Sequence, residues 1–210
     1  MNNSYKSYKK VIVPAKHRFF GVDAERNIEA FLTEFEPNTI ISKGLTGCGA
    51  TTILLENNQP MILSCPTNEL CSTKSTAERH AGKVFWYEAK TKDEAIHNYL
   101  IQAEVPKFIA VYDQVNNLYK ALTRIEKLSV GEKYVLAIDE VHILMTALSY
   151  RKEAIKQLTT LFKYFNNVQF ITATTLPVEF TPEVLLGYNY VEYEWESGVD
   201  VRVMASMQQF

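Results

Sequence analysis

Two short stretches hold residues whose types and spacing can do chemistry. The first runs Ser42-Lys43-Gly44-Leu45-Thr46-Gly47-Cys48-Gly49-Ala50-Thr51-Thr52, directly after the apolar Ile40 and Ile41. Glycines let backbone N–H groups converge on an anion, and the start of a following helix adds the positive end of its dipole. A loop that cradles nucleotide phosphates has the pattern G-x-x-x-x-G-K-[ST] between a strand and a helix. Gly44, Gly49 and Thr51 fit, and Ala50 stands where the pattern has lysine. The Thr51 hydroxyl can then ligate Mg2+. Backbone donors can still hold the ground-state phosphates, but the transition state needs another cation. Lys43, directly before Gly44, is one candidate, because a long ammonium can swing to the γ-phosphate. The alternative for Lys43 is a solvated residue at a strand end.

The second stretch is Tyr134-Val135-Leu136-Ala137-Ile138-Asp139-Glu140-Val141-His142, an apolar run that ends in adjacent carboxylates. In a parallel sheet such a strand delivers both acids to the carboxyl edge, beside the glycine loop. Asp139 can hold Mg2+ through water while Glu140 polarises an attacking water as general base. A solvated acidic turn is the plain alternative, and the glycine loop in the same chain weighs against it.

Both stretches need elements that bring strand ends together. Short β-branched or aromatic runs at 39–42, 61–65, 84–87, 108–112, 135–138 and 168–172 read as buried strands. Val115, Leu118, Leu122 and Ile125 mark one face of a helix, as do Ile155, Leu158, Phe162 and Phe165. Further helices are expected at 24–35, 50–56, 68–80 and 93–103. Alternating strands and helices predict an α/β fold, a three-layer, mostly parallel sheet with helices on both faces. The core-bearing domain is expected at 15–182, after a flexible polar arm at 1–14. Residues 183–210 read as a C-terminal extension or the start of a further domain, ending in an alternating strand at 199–203. Its Tyr188, Tyr190, Tyr193 and Trp195 suit either stacking on unpaired bases or covering the sheet edge.

Composition excludes several classes. With 22 Lys+Arg against 24 Asp+Glu, the chain does not hold nucleic acid by bulk positive charge. Cys48, Cys65 and Cys71 form no C-x-x-C pair and read as reduced apolar fillers, which favours a cytoplasmic setting. No apolar run approaches a membrane span, so no membrane partner is expected.

Asp139-Glu140-Val141-His142 resembles the D-E-x-H box of superfamily-two helicases. Cys65-Pro66-Thr67-Asn68-Glu69-Leu70 is similar to their P-T-R-E-L element, and Thr172-Ala173-Thr174 to their S-A-T element, in the expected order. The run from Phe108 to Gln114 looks like the strand and turn that carry an intermediate nucleic-acid contact. The resemblance covers roughly residues 15 to 180, the first of two RecA-like domains of a P-loop NTPase. It implies ATP and Mg2+ as cofactors, with Gly44, Thr46, Gly47, Cys48, Gly49, Ala50, Thr51 and Thr52 around the phosphates. Thr51 and Asp139 would take the metal, and Glu140 and Lys43 would act in hydrolysis. Pro66, Thr67 and Asn68 would touch a nucleic-acid backbone, DNA in the first instance, although a helix N-cap alone also explains Thr67. His142, Thr172 and Thr174 would couple nucleotide state to nucleic-acid grip. Arg18, Phe19 and Phe20 fall where such proteins contact the adenine, or else they anchor an adjacent helix.

The chain departs from the family at Ala50, and these residues do not contain the second RecA-like domain, which in the family supplies arginines. Three functions therefore stand open. They are the ATP-binding half of a nucleic-acid-dependent ATPase or helicase, as in replication; a scaffold module that binds without hydrolysis; and a small-molecule kinase. The kinase is weakest, since no Arg-rich lid follows and paired acids favour hydrolysis.

Overall fold

Successive residues of the central strands point to opposite faces, and both faces are apolar. Ile40, Ile62, Phe108, Leu136 and Phe170 enter one hydrophobic cluster, while Ile41, Leu63, Ile109, Ala137 and Ile171 enter the other. Strands buried on both sides belong to a parallel sheet covered by helices. The computed structural model describes residues 4–147 and 151–196, and its strands all pair in parallel. They are β1 (Ser7–Val13), β2 (Thr39–Ser42), β3 (Met61–Cys65), β4 (Val84–Trp86), β5 (Lys107–Val111), β6 (Val135–Ile138), β7 (Val168–Thr172) and β8 (Asn189–Trp195). Their order is β1-β8-β2-β7-β6-β3-β5-β4. This is the α/β, RecA-like P-loop NTPase fold expected above.

Helices α1 (Ala50–Glu56) and α2 (Asn68–Thr76) cover one face. On the other lie α3 (Asp93–Gln102), α4 (Val115–Glu126), α5 (Val130–Lys133), α6 (Val141–Ala147), α7 (Lys152–Leu161) and α8 (Glu183–Leu186). Among the described residues no helix is long and apolar enough to cross a membrane.

Three expectations change. Residues 24–35 form no helix: Asn27 adopts a left-handed conformation (φ 51°), Asp23 and Ile28 pair as a bridge, and the Phe20 carbonyl collects the N–H groups of Phe31 and Leu32. The apolar spacing there is satisfied by a chain folded around Phe20, not by a helix face. The polar start, expected as a flexible arm, contains edge strand β1, which pairs along its whole length with β8. Its lysines are exposed, where Lys10 meets Glu194 at 2.6 Å and Lys9 meets Glu36 at 3.3 Å. The ladder, not these exposed pairs, supplies most of the hold. Strand β8 lies inside the sheet between β1 and β2, so the sheet also takes in part of the stretch read as an extension. The strand expected at 199–203 lies outside the described residues.

Candidate functional site

The glycine loop leaves the carboxyl end of β2, and β7 separates that strand from β6, which carries the acids. Gly44 has φ +65°, and a Cβ there would stand 2.5 Å from the Tyr193 carbonyl oxygen, so glycine is required twice over. Gly49, at φ +81°, turns the chain into α1. Thr46 and Gly47 are exposed, and Thr51 and Thr52 are half-buried. Cys48 is buried beneath the loop, where burial pushes its thiol up, and its carbonyl accepts the Phe20 N–H. Ala50 is also buried and packs in the apolar layer with Ile53 and Leu54.

The acids sit on a bent backbone. Glu140 has φ +52°, unusual for a residue with a side chain, and such strain concentrates at functional positions. Two donors hold the bend. The Asp139 N–H donates to Ser64 O at 2.9 Å, and the Tyr112 hydroxyl donates to the carbonyls of Asp139 and Glu140. Burial first, then the Asp139 charge, push the Tyr112 hydroxyl far up, so it remains a donor.

Each carboxylate has its own lysine. Lys43 Nζ lies 3.0 Å from Glu140 Oε1, and the Lys43 side chain is only 8% exposed, so the solvated alternative does not hold. Lys74, on α2, reaches Asp139 Oδ2 at 3.1 Å and Thr51 Oγ1 at 3.2 Å. Asp139 is almost fully buried, and its Oδ1 has no hydrogen-bond partner among the described residues.

A polar chain leads from the acids to β7. His142 Nδ1 lies 3.4 Å from Glu140 Oε2 and 3.1 Å from Thr172 Oγ1. The Thr172 hydroxyl donates to Thr174 O at 3.0 Å and accepts from the Thr174 N–H at 3.0 Å. A hydroxyl has one proton to give, so His142 Nδ1 must be the donor to Thr172. Thr172 O accepts the Lys43 N–H at 2.8 Å, which closes the chain back onto the loop.

The remaining predicted residues sit at the edge of this cluster. Pro66 is buried, and its carbonyl accepts from Arg151 Nη1 at 2.8 Å. Thr67 is exposed and caps α2, its Oγ1 accepting from the Leu70 N–H at 3.3 Å, and Asn68 is exposed beside it. Phe20 is buried edge-on against Tyr193, 4.8 Å between centroids, which leaves Phe19, 41% exposed, as the open aromatic beside the loop. Tyr190 and Tyr193 are buried as well, and Trp195 Nε1 donates to Lys43 O at 2.7 Å, so these rings pack inward. Lys74, Tyr112 and Arg151 were not singled out from the sequence. Lys74 stands in the polar run Ser72-Thr73-Lys74-Ser75, which carries no signal of an inward side chain. A cavity of about 560 Å3 lies elsewhere, lined by Asn57, His80, Lys83 and Lys107 near the amino ends of the strands.

The fit of a divalent cation can be tested on these contacts. Thr51 Oγ1 and Asp139 Oδ2 are hard oxygen donors of the kind Mg2+ takes, at about 2.0–2.1 Å. Their meeting point holds the Lys74 ammonium, so in this arrangement the metal does not fit between them.

The family described as "ATPase family associated with various cellular activities (AAA)" matches residues 80–194, more than half of the chain. That stretch includes the acids, His142 and Thr172 and excludes the glycine loop and Lys74. No curated protein matches the sequence. Among solved structures, the chain is similar to the Hef helicase domain of Pyrococcus furiosus, with a TM-score of 0.52 and 21% identity over 80% of this chain and 37% of that one. It is also similar to a hypothetical ATP-dependent RNA helicase from Sulfolobus tokodaii, with a TM-score of 0.48 and 17% identity over 74% and 48% of the two chains. A third is the yeast DEAD-box splicing factor Prp28, with a TM-score of 0.46 and 15% identity over 80% and 44%. The chain thus spans less than half the length of each, and the first likeness supports the shared fold.

Proposed function

The chain belongs to the ATPase family associated with various cellular activities (AAA), and we propose that its glycine loop binds ATP within a nucleic-acid-dependent ATPase of the DExH helicase type. The observation that carries this reading is the hydrogen bond between His142 and Thr172. It ties the acid pair to the strand that also pins Lys43, which gives an event at the γ-phosphate a short path to the Thr172-Ala173-Thr174 element. A plain binding module has no need of that link.

On this reading Glu140 orients the attacking water and takes its proton. Lys43, fixed beside Oε1, offsets charge that grows on the γ-phosphate. The exposed start of α2, with Thr67 and Asn68, meets a phosphodiester backbone. A second RecA-like domain, in the same or another chain, completes the site with arginines. A module that binds ATP without turnover is the second reading, favoured by Ala50.

Nucleotide binding followed with a fluorescent ATP analogue, together with phosphate release with and without single-stranded DNA, tests the proposal. DNA is expected to raise turnover severalfold. Glu140→Gln should keep binding while turnover falls about 100-fold or more. Tight binding with no turnover under either condition would replace the motor reading with the scaffold.

A further inference from the structure

The lysine missing at position 50 leaves a charge to be supplied, and α2 supplies one from 24 residues further along. The geometry points to Lys74 as the resident cation of the nucleotide site: its ammonium occupies the point where a divalent ion would bridge Thr51 and Asp139, and it transfers to the phosphates of a bound nucleotide. This rests on the reading of residues 44–52 as a nucleotide loop.

Three observations carry it. First, Lys74 Nζ is within 3.2 Å of both the loop hydroxyl and the buried carboxylate, so ammonium and metal compete for the same oxygens. Second, the charges cancel pairwise, Lys43 with Glu140 and Lys74 with Asp139. A buried carboxylate needs such a partner, and once it has one the site holds no surplus negative charge to attract a divalent ion. A polyphosphate brings its own negative charge and offers the ammonium new oxygens. Third, Lys74 is free to make the exchange. Its side chain is 21% exposed against 8% for Lys43, while its backbone is anchored by a 2.9 Å contact from His80 Nδ1 to its carbonyl. The anchored backbone and flexible four-carbon stem suit a short swing from carboxylate to phosphate.

The test uses the whole chain and two probes. Mn2+ binding to the nucleotide-free protein is measured by electron paramagnetic resonance, and binding of the fluorescent ATP analogue is measured in EDTA. Lys74→Met should tighten Mn2+ by about tenfold or more, because the competing ammonium is gone, and should weaken nucleotide in EDTA by a similar factor. Lys43→Met should change Mn2+ affinity less than Lys74→Met does. If Lys74→Met fails to fold by circular dichroism, Lys74→Gln serves in its place. A folded Lys74 variant with both affinities unchanged overturns the proposal. If wild-type protein binds no nucleotide in EDTA or in Mg2+, the loop reading itself has failed; the Mn2+ measurement then decides whether Lys74 holds the metal position, and an unchanged Mn2+ affinity overturns that too.

Discussion

Lys107 enters the amino end of the sheet and donates to three neutral oxygens, Leu54 O at 2.9 Å, Asn57 Oδ1 at 2.6 Å and Gln59 O at 2.6 Å, whereas Lys43 and Lys74 at the carboxyl end each face a carboxylate. The neutral set is the end of α1 and the turn into β3, groups that need a donor whatever is bound elsewhere. No passing anion competes for that ammonium without unmaking the helix end. A lysine paired with a carboxylate is different, because a phosphate can replace its partner and a metal can replace the lysine. One end therefore uses buried positive charge for architecture, and the other holds it ready for exchange.

The largest effect is expected at the architectural end. Lys107→Met strands two backbone carbonyls and an amide oxygen, and at about 1 kcal/mol or more for each unsatisfied group the loss is about 3 kcal/mol. In a chain of this size that lowers Tm by roughly 6–12 °C. Calorimetry should show the drop while the folded protein keeps its affinity for the ATP analogue. An equal loss of affinity would show that the two ends are not separate.

Next comes the Tyr112 clamp, which belongs to both uses. Tyr112→Phe removes the donor to the carbonyls of Asp139 and Glu140, and it should cost about 1–2 kcal/mol in urea unfolding. The left-handed turn at Glu140 also loses its brace, so turnover should fall by more than this stability loss implies. Turnover unchanged at saturating nucleotide would mean that the bend holds without it.

Glu140→Gln should do the reverse of Lys107→Met. Stability should change by less than about 1 kcal/mol or rise, since polar groups kept for function are commonly unfavourable for the fold. A loss as large as that of Lys107→Met would make the Lys43 pair architectural as well.

Much of this contrast was legible in the residues, for reasons that can be named. Neighbouring apolar residues such as Ile40 and Ile41 mark a strand buried on both faces, and six such runs sufficed for the parallel sheet. The loop glycines and the Asp139-Glu140 pair announce themselves because their chemistry demands those types at strand ends. Lys74 gave no signal, since a lysine among serines and threonines on a short helix looks the same whether it turns outward or in. Tyr112 was hidden as one more aromatic at a strand end. The segment 24–35 misled because Ile28, Phe31, Leu32 and Phe35 have helical spacing, while Asn27 breaks the helix with a left-handed residue. Strand β1 was missed because its residues are polar and mostly exposed, and the strand it pairs with, β8, lies at the far end of the sequence.

The smallest expected effect lies at a residue packed against the misread segment 24–35, and it asks whether a buried base behaves like either kind of lysine. His17 is buried beside Phe31, 5.3 Å between ring centroids, and its Nδ1 has no hydrogen-bond partner among the described residues. Burial first, then Lys16 and Arg26, hold its pKa below the usual 6.5. The unfolded chain therefore takes up a proton near pH 6.5 that the folded chain refuses, so stability from this group is complete above that pH and is lost as the pH falls below it. His17→Gln should flatten that part of the profile. Urea midpoints at pH 7.5 and 5.5 measure it: the wild type should lose more on acidification than the variant does. Equal losses would mean that the folded protein accepts the proton, and His17 would then be a third buried cation instead of a neutral wedge.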